Sequence, residues 1–208
     1  VDEIKKQDVK LVSYKDNKGF AYACHGGVKR SNGKYLLFLN PDVVIFENIL
    51  EKSIKFFKDD TIGVVGPRIL NPNESVQKSV RRFPTLTSQV LILLKLHHIS
   101  SSMPFLKKYF ALDFNYSNEQ EVDQVMGAAF FTTRKLWDAI GGFDKRFFIW
   151  FEEVDYCYQV KKLGYRVLYT PSLSVVHLGG ESFSQVNFLI KQFWFLRSMM
   201  KYFLKNGL

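Results

Sequence analysis

Two uninterrupted apolar runs, YLLFL at Tyr35–Leu39 and IGVVGP at 62–67, limit the folds open to this chain more than any other feature. Each is too short for a helix and is bounded by glycine or proline, so each reads as a strand buried on both faces. Between them the segment 46–58 gathers Ile49, Leu50, Ile54, Phe56 and Phe57 on one side, which predicts a helix. Upstream, VKLVSY at 9–14 reads as a short strand, and NKGF at 17–20 as a turn into a helix carrying Ala21, Ala23, Cys24 and Val28. This alternation of strand and helix predicts an α/β fold with a mainly parallel central sheet flanked by helices.

The later segments vary this pattern. RILNPNESVQKSVRRFP, beginning at Arg68, has the turn signals of a hairpin, and 86–121 is mixed in character. VDQVMGAAFFTTR at 122–134 returns to strand, KLWDAIGGF is a short helix stopped by Gly141 and Gly142, and EEVDYCYQVKKLGY is an amphipathic helix ended by Gly164. RVLYTPSLSVVHLGG reads as two short strands around Thr170 and Pro171, and 182–206 as one long helix.

With 208 residues, of which 47% are hydrophobic, the chain is long enough for one sizeable core. Its 29 Lys and Arg against 20 Asp and Glu give a net charge of +9, which favours polyanionic partners such as a nucleotide, a nucleic acid or an anionic membrane surface. No nucleic-acid-binding motif accompanies that charge, so nucleic acid is not expected as a partner. Cys24 and Cys157 fit neither a metal spacing nor a disulfide scaffold and read as buried thiols in a reducing compartment. The longest aliphatic run, 90–94, is far short of the roughly 20 residues of a membrane span. VDEIKKQDVK stands where a signal peptide would show a basic start and an apolar stretch, and the first residue is Val1, so part of the natural N-terminus is expected to be missing.

Chemistry is expected beyond the carboxyl ends of the strands. There Asn40-Pro41-Asp42 ends the first apolar run, and Pro41, with its fixed φ, helps to aim Asp42 out of the strand. Taken alone, Asp42 could equally close a turn. Glu152, Glu153 and Asp155 open a helix after the aromatic run FDKRFFIWF. Carboxylates there are favoured by the helix dipole, while Phe147, Phe148, Trp150 and Phe151 would raise their pKa values toward those of a general base. His177, after SLSVV, is a third candidate.

Taken together, NKGFAYACHGGVKRSNGKYLLFLNPDVVI, ESVQKSVRRFPT and GAAFFTTRKLWDAIGGFDKRFFIWFEEVDYCYQVKKLGYRVLYTPSLSVVHLGG resemble the bacterial family-2 glycosyltransferases, the rhamnosyltransferase-like group in particular. The resemblance implies a GT-A fold, lacking its N-terminal nucleotide-binding strand, with a catalytic domain at 1–181 and an amphipathic helix at 182–208. It implies a nucleotide-sugar donor, a saccharide or lipid-linked saccharide acceptor, and inversion, in cell-surface polysaccharide biosynthesis. NPD takes the place of the family's Asp-x-Asp signature, so Asp42 would contact a divalent cation, Mn²⁺ or Mg²⁺, with His177 as a further ligand. Asn40, Asp42, Gly19 and His25 fall on the donor side, and Trp150 and Asp155 on the acceptor side. His25 stands where relatives usually have asparagine. Glu153 matches the catalytic base, with Glu152 as the alternative.

Two other classes compete with an enzyme: a non-catalytic scaffold on the same fold and a polyanion-binding protein. The C-terminal segment interleaves Phe188, Phe193, Trp194, Phe195, Met199 and Met200 with Lys191, Arg197, Lys201 and Lys205. That mixture suits peripheral association with the cytoplasmic face of an anionic membrane, with a core-packing helix or a dimer contact as the equal alternative.

Overall fold

The structure, a computed structural model, describes residues 9–99, 103–179 and 186–208. Its centre is a sheet built on β1 (Tyr35–Leu39), β7 (Ala129–Thr133), β3 (Ile62–Leu70), β8 (Arg166–His177) and β2 (Val43–Val44), in that order, with β5 (Gln120–Val122) also pairing β8. Three layers follow from it. Strand residues alternate between the two faces, so Phe130 of β7 joins Phe38, Trp137, Phe143 and Tyr156 on one side. Its neighbour Phe131 joins Phe57, Val65 and Leu173 on the other.

The sheet is mixed, which corrects the expectation of a mainly parallel one. β3 and β8 run parallel, while β7 enters antiparallel between β1 and β3, with Leu37 and Val65 both opposite Phe131. The insertion is held by a buried bond that the Thr132 hydroxyl donates to the Gly63 carbonyl at 2.8 Å. Neighbours on both edges and helices on both faces explain why the first six residues of β3 are all buried.

Two further expectations change. Residues 9–14 form no strand: Val9 and Leu11 are 58% and 45% exposed, so their alternation meets no partner. The two strands expected around Pro171 are one strand, β8, whose register against β3 jumps from Pro67 opposite Thr170 to Arg68 opposite Ser174. Arg68 spans that irregularity by donating to the Pro171 carbonyl at 2.8 Å. The expected hairpin is short, with Leu70 bridging Val76, after which β4 (Val80–Arg81) leaves to pair β6 (Gln124–Val125).

The helices follow the sequence closely. α1 (Phe20–Arg30) precedes β1, and α2 (Ile49–Ile54) starts on an Asn48 side-chain cap. α3 (Leu86–Leu93) carries a Thr85–Ser88 capping box, and α4 (Pro104–Tyr109) begins with proline. α5 (Arg134–Ile140) is capped by Thr133 and stopped by Gly141 at φ 86°. α6 (Glu152–Lys162) is followed by Gly164 at φ 82°. α7 (Phe188–Asn206) lays Met199, Tyr202 and Phe203 on Phe147, Phe151 and Val154, and each such burial contributes roughly 1.5–3 kcal/mol. The start of the expected C-terminal helix, 182–185, lies outside the described residues.

Candidate functional site

A cavity of about 700 Å³ opens between the end of β1, the start of α6 and the segment 79–110. Asn40 and Pro41 line it from the β1 side, where the Asn40 N–H donates to the Ala128 carbonyl at 2.9 Å and the Asn40 carbonyl closes the turn onto Val43. Trp150, Phe151, Glu152 and Glu153 face them.

The entry into α6 is strained. Trp150 and Phe151 hold φ at 59° and 68°, left-handed conformations that cost a side-chain-bearing residue of order 1–3 kcal/mol each. Packing and hydrogen bonds outweigh this. The Phe151 ring meets Phe195 and Tyr202 at 5.7 and 5.4 Å, and the Ser198 hydroxyl donates to the Ile149 carbonyl at 2.9 Å. The result turns the first residues of α6 into the cavity.

Glu152 is 5% exposed, and its Oε2 has no hydrogen-bond partner. Burial, then the neighbouring charge of Glu153, pushes its pKa well above the ordinary glutamate range. Burial also raises Glu153, against the backbone N–H groups of Glu153, Gly127 and Val154 and the charge of Arg81. A carboxylate raised in this way but still supported by hydrogen bonds is a stronger proton acceptor than an ordinary glutamate.

The pairing of Val43 with His177 across β2 and β8 brings Asp42 and His177 together, with Oδ1 3.4 Å from Nε2. Both side chains are nearly buried, and Asp42 Oδ1 has no hydrogen-bond partner. His177 Nδ1 lies 2.8 Å from Gln77 Oε1, an atom that can only accept, so Nδ1 carries a proton and Nε2 is the ring nitrogen that faces Asp42. Gln77 is itself oriented by donating to Asn71 at 3.0 Å. An unpartnered carboxylate oxygen beside an imidazole nitrogen fits a divalent cation, since atoms this close can both lie about 2.1 Å from one ion. Among the described residues no three His, Cys, Asp or Glu side chains converge, so this pair could supply only two ligands of a divalent ion, with substrate phosphates and water left to supply the others.

Three expected site residues lie elsewhere. Gly19 starts α1 at φ 92°, and a Cβ there would overlap the Phe148 carbonyl; it lets α1 approach the 144–151 loop, so its part is close packing rather than donor contact. His25 bonds the Phe143 carbonyl through Nε2 at 2.7 Å and stacks on Trp137, away from the cavity lining. Asp155 lies outside the cavity lining, against α7, where Lys205 and Asn206 donate to it at 2.6 and 3.1 Å, which makes it an anchor for α7. Conversely, Arg81 and Gln89 line the cavity and Gln77 orients His177, although the sequence did not single them out. Arg81 had a signal in the paired arginines of SVRRFP; Gln77 and Gln89 had none, because Gln77 depends on a partner 100 residues away and Gln89 on one 20 residues away.

The model of the family described as glycosyltransferase like family 2 matches residues 1–193. The chain is 30% identical over 119 residues to N-acetylglucosaminyl-diphospho-decaprenol L-rhamnosyltransferase of Mycobacterium tuberculosis, covering 55% of this chain and 37% of that protein. It is 25% identical over 171 residues to rhamnosyltransferase WbbL of Escherichia coli K12, covering 81% and 61%. The chain therefore spans less than two thirds of the length of these curated relatives. Among solved structures, the mannosyltransferase PcManGT from Pyrobaculum calidifontis, in complex with GDP-Man and Mn²⁺, superposes with a TM-score of 0.55 at 15% identity, covering 95% of this chain and 46% of that one. GalNAc-T7 with UDP, GalNAc and Mn²⁺ gives 0.53 at 15% identity, covering 79% and 31%.

Proposed function

This chain belongs to the family-2-like glycosyltransferases and has their GT-A fold, and from that premise we propose that it moves one sugar from a nucleotide-sugar donor to a hydroxyl of a saccharide or lipid-linked saccharide acceptor, with inversion, in the building of cell-surface polysaccharide. The observation that carries this reading is the adjacent pair of carboxylates with raised pKa values, Glu152 buried and Glu153 half-buried, that lines one cavity with Asn40 and Pro41.

In this reading Glu153 takes the proton of the acceptor hydroxyl. The freed oxygen forms a bond to the anomeric carbon from the face opposite the nucleoside diphosphate, whose bond to that carbon breaks with both electrons. Asn40 contributes to holding the donor, and Trp150 offers the acceptor an apolar ring face. Asp42 and His177 would hold Mn²⁺ or Mg²⁺, which when bound neutralises charge developing on the diphosphate. The test is release of nucleoside diphosphate from a panel of nucleotide sugars, with and without Mn²⁺. One sugar should be turned over in the presence of acceptor, and no release from any member would overturn the reading.

The exposed side of α7 supports a lipid-linked acceptor. Leu189, Phe193, Leu196, Met200 and Leu204 repeat at helical spacing and are exposed, with Arg197 and Lys201 beside them. An anionic membrane on the cytoplasmic side matches both the apolar stripe and its basic flank, at ~1 kcal/mol for each cation near the surface. Flotation with anionic vesicles at low salt, reversed by added salt, is expected; binding that ignores lipid charge would exclude this site of association.

A further inference from the structure

Of the buried side-chain polar atoms left without a partner among the described residues, four belong to residues that line the same cavity: Ser79 Oγ, Gln89 Oε1, His97 Nδ1 and Glu152 Oε2. An unpartnered buried polar atom costs about 1–3 kcal/mol, so a cluster of them in one hollow marks a place that a polar guest completes. Glu152 belongs to the acidic start of α6. The other three come from another part of the wall, Ser79 just before β4 and Gln89 and His97 between β4 and α4, which the catalytic reading leaves without a role.

Gln89 is the best defined of them. It is fully buried on α3, and the capping box of Thr85 and Ser88 fixes the turn from which it projects. Its amide nitrogen donates to Ser88 Oγ at 3.2 Å, and the side chain also bonds the Tyr109 hydroxyl. With the nitrogen engaged, the free carbonyl oxygen can only accept. Ser79, on the approach to β4, adds a rotatable hydroxyl that donates or accepts. Trp150 and Tyr109 supply ring surface in the same cavity. Acceptor and donor atoms fixed between aromatic faces suit a pyranose, which presents hydroxyls around its edge and C–H groups on its faces.

We propose that Gln89 and Ser79 form the specificity wall of the acceptor subsite, with the Gln89 carbonyl accepting a hydrogen bond from one hydroxyl or amide N–H of the acceptor sugar. This rests on the glycosyltransferase reading, and it assigns the choice of acceptor to the wall formed by β4 and α3 instead of to the acidic turn. The consequence is a sharp discrimination, because a sugar lacking that one donor would leave the carbonyl buried and unpaired.

The experiment is ligand-observed NMR titration of the full chain with methyl hexopyranosides, methyl N-acetylhexosaminides and their monodeoxy analogues, alongside a nucleoside diphosphate with Mn²⁺. One parent glycoside should bind the wild type, and one of its monodeoxy analogues should bind at least about tenfold more weakly. In Gln89→Leu that difference should disappear while nucleoside diphosphate binding stays within about twofold, the control for folding. Ser79→Ala repeats the comparison should Gln89→Leu fail to fold. Persistence of the discrimination in both variants would overturn the proposal. Binding of the nucleoside diphosphate without any glycoside would overturn the subsite alone; binding of neither would overturn the glycosyltransferase reading with it.

Discussion

The first turn of α6 buries two carboxylates three residues apart, one lining the cavity and one against α7, and the two are treated differently. Glu152, facing the cavity, is 5% exposed with one oxygen unpartnered, whereas Asp155, facing α7, is 1% exposed and receives hydrogen bonds from Lys205 and Asn206. Lys205 also reaches Asp144 at 3.0 Å, so one ammonium ties the loop before α6 to the end of α7. Residue type and depth are nearly the same for both; the partners differ. A buried charge with good partners fixes a structure, while one without them is a standing cost that persists where chemistry uses it.

The largest effect should come from breaking the cavity side. Glu153→Gln is expected to lower kcat by ~10²- to 10⁴-fold and to leave donor binding nearly intact, because a general base acts selectively in the transition state. Steady-state kinetics beside donor titration would show the split, and a larger loss in Glu152→Gln than in Glu153→Gln would transfer the role of base to Glu152.

Next in size is the carboxylate against α7. Asp155→Asn removes the charge that Lys205 and Asn206 face, and should destabilise the fold by roughly 2–3 kcal/mol in urea unfolding, with kcat/KM retained below the transition. If stability were unchanged, the contrast between paired and unpaired carboxylates would lose its basis.

A smaller effect of opposite sign is expected at Glu152. Its raised folded pKa means that its contribution to stability is fully present below the unfolded value, about 4.3, and is lost as pH rises through the folded one. Glu152→Gln removes that loss, so the variant should gain on the wild type in Tm from about pH 4 toward neutrality, by order 1 kcal/mol. A gap that narrows as pH rises would contradict the burial of an uncompensated carboxyl.

Much of this was legible in the sequence, for local reasons. The apolar run of β1, the glycines after α5 and α6 and the first turn of α6 each depend on neighbours within a few residues. The insertion of β7 between β1 and β3 was not legible, since strand order is decided by segments some 60–100 residues apart. Asp155 could have been placed better. Residues two apart on a helix are rotated by about 200°, so Glu153 and Asp155 could not face one cavity. Asp42 and His177 were each visible at a strand end, whereas Gln77 acquires meaning only when β2 lies against β8.

The smallest effect belongs to the last turn of α6, where Lys161 meets Glu121 at 3.0 Å and Asp123 at 3.6 Å. These separations resemble those around Lys205, and Coulomb's law with distance alone would rank the two clusters together. Exposure separates them: the Lys161 and Glu121 side chains are 27% and 45% exposed, while Asp155 is 2%. Water screens the first cluster, and holding two long side chains in one geometry offsets the rest, so an exposed pair is worth about 0.2–1 kcal/mol. Asp123 keeps its other bond, from the Phe83 N–H at 3.1 Å, whether or not Lys161 is present. Lys161→Gln should therefore shift urea unfolding by less than about 0.5 kcal/mol, and raising the salt concentration should erase even that difference. A loss as large as that of Asp155→Asn would mean that distance, and not burial with partners, sets the worth of these ion pairs, and the contrast between the two carboxylates of α6 would need another cause.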